Sequence, residues 1–322
     1  MDQEIINEVL CRMMPHLSND QVALLKNVLE GIMIAGASGV VEADESLVES
    51  FISAKRLEGC SERTLTFYRN TIDKMIQSIE KPIKGITTED LRNYLSDYQN
   101  SNSVSKVTID NIRRNLSSFF AWLEDENYIL KSPVRRIHRV KAASSVKETY
   151  SDEDLEKLRD GCTETRDLAM IDILASTGMR VGELVRLNRT DIDFNERECV
   201  VFGKGDKERI VYFDARTKIH LQNYLNERND DNPALFVSLR APFERLEIGG
   251  VETRLKKLGE VLEIDKVHPH KFRRTMATTA IDKGMPIEQV QKLLGHEKID
   301  TTLHYAMVKQ SNVKNAHRKY IG

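Results

Sequence analysis

Apolar residues return at helical intervals along most of the chain. Ile5, Ile6, Val9, Leu10, Met13 and Met14 form one stripe, which Pro15 interrupts. Ser18 and Gln21 then have the spacing of a capping box for a second helix carrying Val22, Leu25, Val28, Leu29 and Ile32. Gly36 to Gly39 predicts a flexible join. Residues 44–130 predict four helices, near 45–58, 62–79, 88–100 and 105–126, with Ser61 and Thr87-x-x-Asp90 as start signals. Their stripes (Leu47, Phe51; Leu65, Ile72, Met75; Leu116, Phe119, Phe120, Leu123) suffice for a compact bundle.

Past residue 148 the pattern becomes mixed. Ser151 to Asp154 is a capping box, and the next stripe (Leu168, Ile171, Ile173, Leu174) ends at Gly178, before a short helix from Arg180 to Arg186. Two β-rich runs, Cys199 to Phe202 and Arg209 to Phe213, flank Gly203 to Glu208 as a hairpin loop. A helix from Phe272 to Lys283 stops at Gly284, and Pro286 opens another carrying Ile287, Val290, Leu293 and Leu294. Gly295 is placed just past that helix, so His296 begins the following turn. The expected class is mainly α, with a small antiparallel β-sheet in the C-terminal domain.

At 322 residues the chain accommodates two domains with separate cores. A net charge of −2 is not the bulk signature of a nucleic-acid-binding protein, but the charge is unevenly spread. Residues 1–43 carry a net of −4, which marks an acidic helical extension poorly suited to hold DNA and suited to pack against a neighbouring domain or subunit. Residues 131–147 contain Lys131, Arg135, Arg136, Arg139, Lys141 and Lys147 without one acid, and Pro133, Ser144 and Ser145 argue for little fixed structure. Such a basic linker adds salt-dependent, sequence-blind affinity for phosphates. The layout is therefore an extension (1–43), a helical domain (44–130), a linker (131–147) and a C-terminal domain with a tail (148–322). Cys11, Cys60, Cys162 and Cys199 form no C-x-x-C pair, which points to a reduced, cytoplasmic protein without a zinc site or disulfide framework. No membrane-length apolar run and no basic leader are visible.

The candidate chemistry is cationic. His270 and Arg273 are three apart, hence on one helix face, and Arg180 stands where a helix begins, with Glu183 one turn on to hold it. Lys204 sits in the hairpin loop; His296 and Tyr305 follow nine residues apart. Arginine clamps phosphate with a two-pronged fork, and a phenol of pKa near 10 becomes a nucleophile only with a base or a positive field beside it. Spacing leaves two readings open: a phosphate pocket in which Tyr305 attacks phosphorus, or a solvated basic face with Tyr305 as an ordinary aromatic. Off the apolar stripes, Arg63, Thr66, Arg69, Lys106, Arg113 and Arg114 are polar positions open to either a partner or solvent.

Together these residues resemble the signature of the tyrosine recombinases, the phage-type integrases. The words TGMRVGEL, GKGDKERIV, HPHKFRRTMAT and LLGHEKIDTTLHY stand in that family's order and spacing. The similarity covers about residues 148–310 by motif and 44–140 by organisation; Arg274 departs from it, many relatives having histidine there. The resemblance implies a two-domain clamp around DNA, with the helical domain and the basic linker (Arg135, Arg136, Arg139, Lys141) on the duplex. It implies Tyr305 as nucleophile, Arg180 and Arg273 as phosphate ligands, and His296 as a third donor. Lys204 becomes the acid for the departing 5′-oxygen and His270 the base. It further implies no cofactor or metal, double-stranded DNA with inverted-repeat core sites as partner, and a homo-tetramer exchanging C-terminal tails through a Holliday junction. Rival expectations are a type IB topoisomerase that lets one strand swivel, a DNA-binding protein without catalysis, and a metal nuclease, for which no Asp/Glu cluster speaks.

Overall fold

The computed structural model describes residues 2–38, 44–141, 148–203, 208–303 and 321. The chain divides into two compact units, residues 1–144 and 145–322.

In the first unit, α1 (Asp2–Met13) and α2 (Asn19–Ser38) pack on one another. The Ser18–Gln21 pair forms in both directions: Ser18 N–H donates to Gln21 Oε1 (3.0 Å) and Gln21 N–H to Ser18 Oγ (3.4 Å). Gly36, expected in a join, lies inside α2, because the helix continues to Ser38. The four following helices are α3 (Asp44–Leu57), α4 (Glu62–Ile79), α5 (Thr88–Asn102) and α6 (Lys106–Asp125). Each start of α4, α5 and α6 is capped by a hydroxyl, from Ser61, Thr87 and Ser105, as residues that favour caps over helix interiors do. Their apolar faces meet around Phe51, which lies edge-on to Phe119 (centroids 5.2 Å), Tyr68 (5.3 Å) and Trp122 (5.7 Å). The two fully buried rings, Phe51 and Phe119, each contribute on the order of 1.5–3 kcal/mol, while Tyr68 and Trp122 are half-buried.

The basic stretch after residue 131 differs from the expected loose linker over its first half. Pro133–Arg136 forms a 3-10 turn whose Val134 is buried in this bundle, Thr88 Oγ1 donates to the Pro133 carbonyl (2.7 Å), and Val140 N–H donates to Asp110 (3.1 Å). A buried valine and two backbone hydrogen bonds are enough to fix it despite its charge. Residues 142–147 lie outside the described residues.

The second unit is built on α8 (Thr165–Thr177), which follows α7 (Asp152–Asp160). Ala169, Met170, Ile171, Ile173 and Leu174 are all buried, so α8 is covered around its circumference rather than on one stripe. After the single turn α9 (Val181–Leu184) come β1 (Ile192–Asp193), β2 (Glu198–Phe202) and β3 (Glu208–Tyr212), antiparallel in the order β1-β2-β3. Alternation turns Cys199, Val201 and Val211 into the core and leaves Val200, Phe202, Ile210 and Tyr212 exposed. The unit closes with α10 (Ala215–Glu227), α11 (Ile248–Val261), α12 (Pro269–Asp282), α13 (Ile287–Leu294) and α14 (Ile299–Leu303). Among the described residues, no helix is long and apolar enough to cross a membrane. The protein is therefore mainly helical with one small antiparallel sheet.

Candidate active site

Three helix boundaries bring the cations together. Gly178 ends α8 with φ +61°, a conformation natural to glycine, and puts Arg180 at the N-cap of α9. Arg180 thus stands before that helix in extended backbone, not within it. Its N–H donates to Glu183 Oε2 (2.7 Å) and its Nη1 to Glu183 Oε1 (2.9 Å). Glu183 is 4% exposed and is also gripped by Arg209 of β3, whose Nη1 and Nη2 donate to the two oxygens at 2.6 Å each. Burial pushes this carboxyl's pKa up, but the hydrogen bonds and charge of Arg209 and Arg180 outweigh it, and the value lies below the usual 4.5.

The helix α12 begins at Pro269, three residues earlier than the apolar stripe suggested, because proline suits the first helical position. This puts His270 in the first turn and Arg273 one turn on. Tyr150 secures that end: its hydroxyl accepts from His268 N–H (3.2 Å), its own N–H donates to Thr275 Oγ1 (2.9 Å), and its ring lies 4.8 Å from that of Phe272. Arg274, the departure from the family pattern, donates to the Glu148 carbonyl (3.1 Å) and so helps tie the incoming chain to α12.

Arg273 is 3% exposed, and its fork is fixed by backbone. Nη1 donates to the Gly178 carbonyl (2.7 Å), and Nη2 donates to the Leu294 carbonyl (2.6 Å) and His296 Nε2 (3.0 Å). Since a guanidinium has only donors, His296 Nε2 accepts here; Nδ1 then carries the hydrogen and donates to Thr302 Oγ1 (2.9 Å). The donor expected of His296 is therefore turned toward α14 in this arrangement. Gly295 (φ +64°) makes the turn possible, and a Cβ there would stand 2.9 Å from Arg209 Cδ. Arg180 Nη2 reaches the Gly295 carbonyl at 3.4 Å, closing the ring of contacts.

The field in this pocket is positive. Loss of hydration and the charges of Arg273, Arg180 and Arg209 lower the His296 pKa to about 4. Partial loss of hydration, then Arg273, Arg274 and Arg180, lower that of His270, so both imidazoles are neutral at pH 7. A neutral imidazole accepts protons; a guanidinium at 37% side-chain exposure, as Arg180 has, accepts an anion. Four of the expected residues (Arg180, His270, Arg273, His296) and the supporting Glu183 thus share one positive pocket. Tyr305, Lys204 and the tail from residue 304 lie outside the described residues, residue 321 excepted.

Arg209 has no signal of its own in the sequence, where it stands only as the first residue of a β-run. A cation followed by alternating apolar residues does not reveal a buried acid 26 positions away. Beside Arg209 opens a cavity of about 1050 Å³, lined in part by Leu155, Ile210, Tyr212, Phe272, Met276 and Ala280.

The positions expected on DNA divide. Arg63, Lys106, Arg136, Arg139 and Lys141 are exposed. Arg69 is paired with Glu49 (2.7 Å), Arg135 with Glu124 (3.2 Å), and Thr66 Oγ1 donates back to the Glu62 carbonyl (2.9 Å). Arg113 is 14% exposed and bonded to Asp110 (2.9 Å), while Arg114, at 62%, reaches the same acid at 3.4 Å. Asp110 stands three residues before Arg113, a spacing that the sequence itself offered as a warning.

Two family models match this chain: the phage integrase family over residues 148–312, and the phage integrase N-terminal SAM-like domain over residues 47–130. The chain belongs to the phage integrase family of tyrosine recombinases, enzymes of site-specific recombination. Among similar proteins, the tyrosine recombinase XerC of Oceanobacillus iheyensis is 31% identical over 294 residues, covering 85% of this chain and 95% of the relative. XerC of Staphylococcus aureus is 30% identical over 288 residues, covering 84% and 95%. The fold is shared with the XerH site-specific recombinase bound to palindromic difH substrate (TM-score 0.68, 20% identity, 98% of this chain and 95% of that one). It is also shared with a lambda integrase dimer bound to a COC′ core site (TM-score 0.67, 19% identity, 90% and 87%).

Proposed function

We propose that this protein cuts and rejoins DNA at specific sites through Tyr305. The phenol oxygen bonds to the scissile phosphorus while the bond from phosphorus to the 5′-oxygen breaks, leaving a 3′-phosphotyrosyl link and a 5′-hydroxyl. The phenol's proton passes to His270, and Lys204 protonates the departing 5′-oxygen. Arg180 holds the non-bridging oxygens, with Arg273 fixed behind it as a second positive charge; such preorganised donors are each worth on the order of 10²–10³ in rate. His296 orients Arg273 through Nε2. To act as a third donor it has to turn an N–H away from Thr302. The phosphotyrosyl bond keeps the energy of the broken diester, so a 5′-hydroxyl from a second duplex reverses the step without ATP.

The observation that supports this reading is that Arg273 holds His296 and the Gly178 carbonyl while the exposed Arg180 guanidinium reaches the same turn at the Gly295 carbonyl, so that three separate elements converge. Four copies acting on two inverted-repeat core sites, through a Holliday junction, complete an integration, excision or inversion. The tail past Tyr305 carries Val308, Val313, Ala316 and Ile321. The open cavity beside β3, apolar over much of its wall, offers such a tail from a neighbouring copy a seat.

The test is covalent trapping. Wild-type protein is incubated with a random-sequence pool of nicked suicide duplexes, and DNA attached to protein is recovered and sequenced. A single site family attached through Tyr305 is expected, and Tyr305→Phe should shift the same DNA without becoming attached. Relaxation of supercoils with no product joining two duplexes would mark a topoisomerase instead, and no attachment at all would withdraw the assignment.

A further inference from the structure

Within the positive pocket, Arg180 and Arg209 share one carboxylate but differ in exposure. The Arg180 side chain is 37% exposed, that of Arg209 only 11%, and that of Glu183 4%. Arg209 takes both carboxylate oxygens in a two-pronged contact (2.6 and 2.6 Å), whereas the Arg180 guanidinium has one of them (2.9 Å). The second oxygen receives the Arg180 backbone N–H (2.7 Å). Arg209 Nε meanwhile donates to the Leu293 carbonyl (3.1 Å), and its stem packs against Gly295, the residue before His296.

Resting on the recombinase assignment, we propose that Arg209 is a positioning residue of the strand-cleavage reaction, keeping Arg180 available to the phosphate and setting the turn that carries His296. The physical reason is competition for one acid. A carboxylate and a guanidinium alone form a bidentate pair, in which the arginine is neutralised and its fork occupied. Arg209 fills that geometry from the buried side. Arg180 is left with one side-chain contact to the acid (2.9 Å) and a long one from Nη2 to the Gly295 carbonyl (3.4 Å), which fix its direction while 37% of the side chain stays exposed. The same guanidinium reaches α13 through Leu293, so Glu183 on α9 and the turn after α13 are held at one separation. Neither contact touches substrate; Arg209 acts through Arg180 and His296.

The experiment uses the full-length protein and the duplex that wild type attaches to in the trapping selection. A second version of that duplex carries a methylphosphonate at the scissile position. One non-bridging oxygen and its charge are then gone, so an arginine ligand matters less. Arg209→Met, Arg209→Lys and, for reference, Arg180→Ala are compared for adduct rate, mobility shift and thermal melting. Arg209→Met and Arg209→Lys are expected to bind the duplex as wild type does. They should cleave the phosphodiester about 10- to 100-fold more slowly, the range seen when supporting groups are lost. On the methylphosphonate most of that deficit should vanish, in parallel with Arg180→Ala. If Arg209→Met does not fold, Arg209→Lys, which keeps the charge but not the fork, carries the comparison. Wild-type cleavage rates in a folded Arg209 variant overturn the proposal. So does a deficit of equal size on both duplexes, which is what mere loosening of the fold produces. Failure of wild type to attach to any duplex is a different result and withdraws the recombinase assignment itself.

Discussion

Replacing Glu183 with alanine strands two guanidinia, and their unequal burial sets the size of the effect. Arg180 can turn to water, so its loss is small. Arg209 cannot: its side chain is 11% exposed, and the variant leaves a buried charge with only the Leu293 carbonyl contact described above. Removing one partner of a buried ion pair costs roughly 3–5 kcal/mol. Adding up all four hydrogen bonds to Glu183 would overstate it, because they form one network and are not additive. At about 2–4 °C per kcal/mol for a unit of this size, the melting temperature should fall by roughly 6–20 °C. Far-UV circular dichroism follows the transition. The single tryptophan, Trp122, packs in the first unit, so its fluorescence supplies an internal reference that the substitution should leave in place. Glu183→Gln should resemble alanine more than wild type, since its amide N–H₂ faces donors. The deficit should shrink as pH falls below about 4.5, where the carboxylate's contribution is lost in wild type too. A Glu183→Ala protein melting within about 2 °C of wild type at pH 7 would refute the view that this acid holds the pocket together.

Two further outcomes follow from the same geometry. The folded His296 has its pKa lowered to about 4, against 6.5 when unfolded, so above pH 6.5 neither state is protonated and stability is flat with respect to this group. Between pH 6.5 and 4 the unfolded chain binds a proton that the folded one refuses, and stability drops; His270 acts in the same direction. Melting curves at pH 7.5 and 5 should show this slope in wild type and a shallower one in His296→Asn. Gly178→Ala forces a left-handed backbone onto a residue with a Cβ, which would meet Met276 Cε at 2.2 Å. The methionine can swing aside, so the backbone cost of roughly 1–2 kcal/mol dominates and a loss of about 2–8 °C is expected. Adduct formation should fall as well, because the Gly178 carbonyl holds Arg273.

Much of the helical framework is legible because its signals are local. Ser61, Thr87 with Asp90, and Ser151 with Asp154 cap helices within three residues of themselves, and the structure forms each of those bonds. Gly178 and Gly295 likewise end helices where the pattern stops, with the positive φ that glycine permits. Pro269 suits the first helical position, although the apolar stripe itself begins only at Phe272. The basic stretch from residue 131 shows the opposite case. Its charge suggests a loose chain, yet Val134 is buried and Asp110, 30 residues earlier, accepts from Val140. Arg69 was open to DNA by its position on a helix face, but pairs with Glu49 across 20 residues.

What the sequence determined by itself was the run of helices, those ends marked by a side-chain cap or by Gly178 and Gly295, the two β-strands around Lys204 and the identity of the cations, since each depends on neighbours a turn or less away. Only the tertiary structure decided which cations are buried and which stay open to solvent. Burial is a property of the packed whole, and it is burial that binds Arg209 to Glu183, lowers the pKa of His296 and leaves Arg180 facing outward.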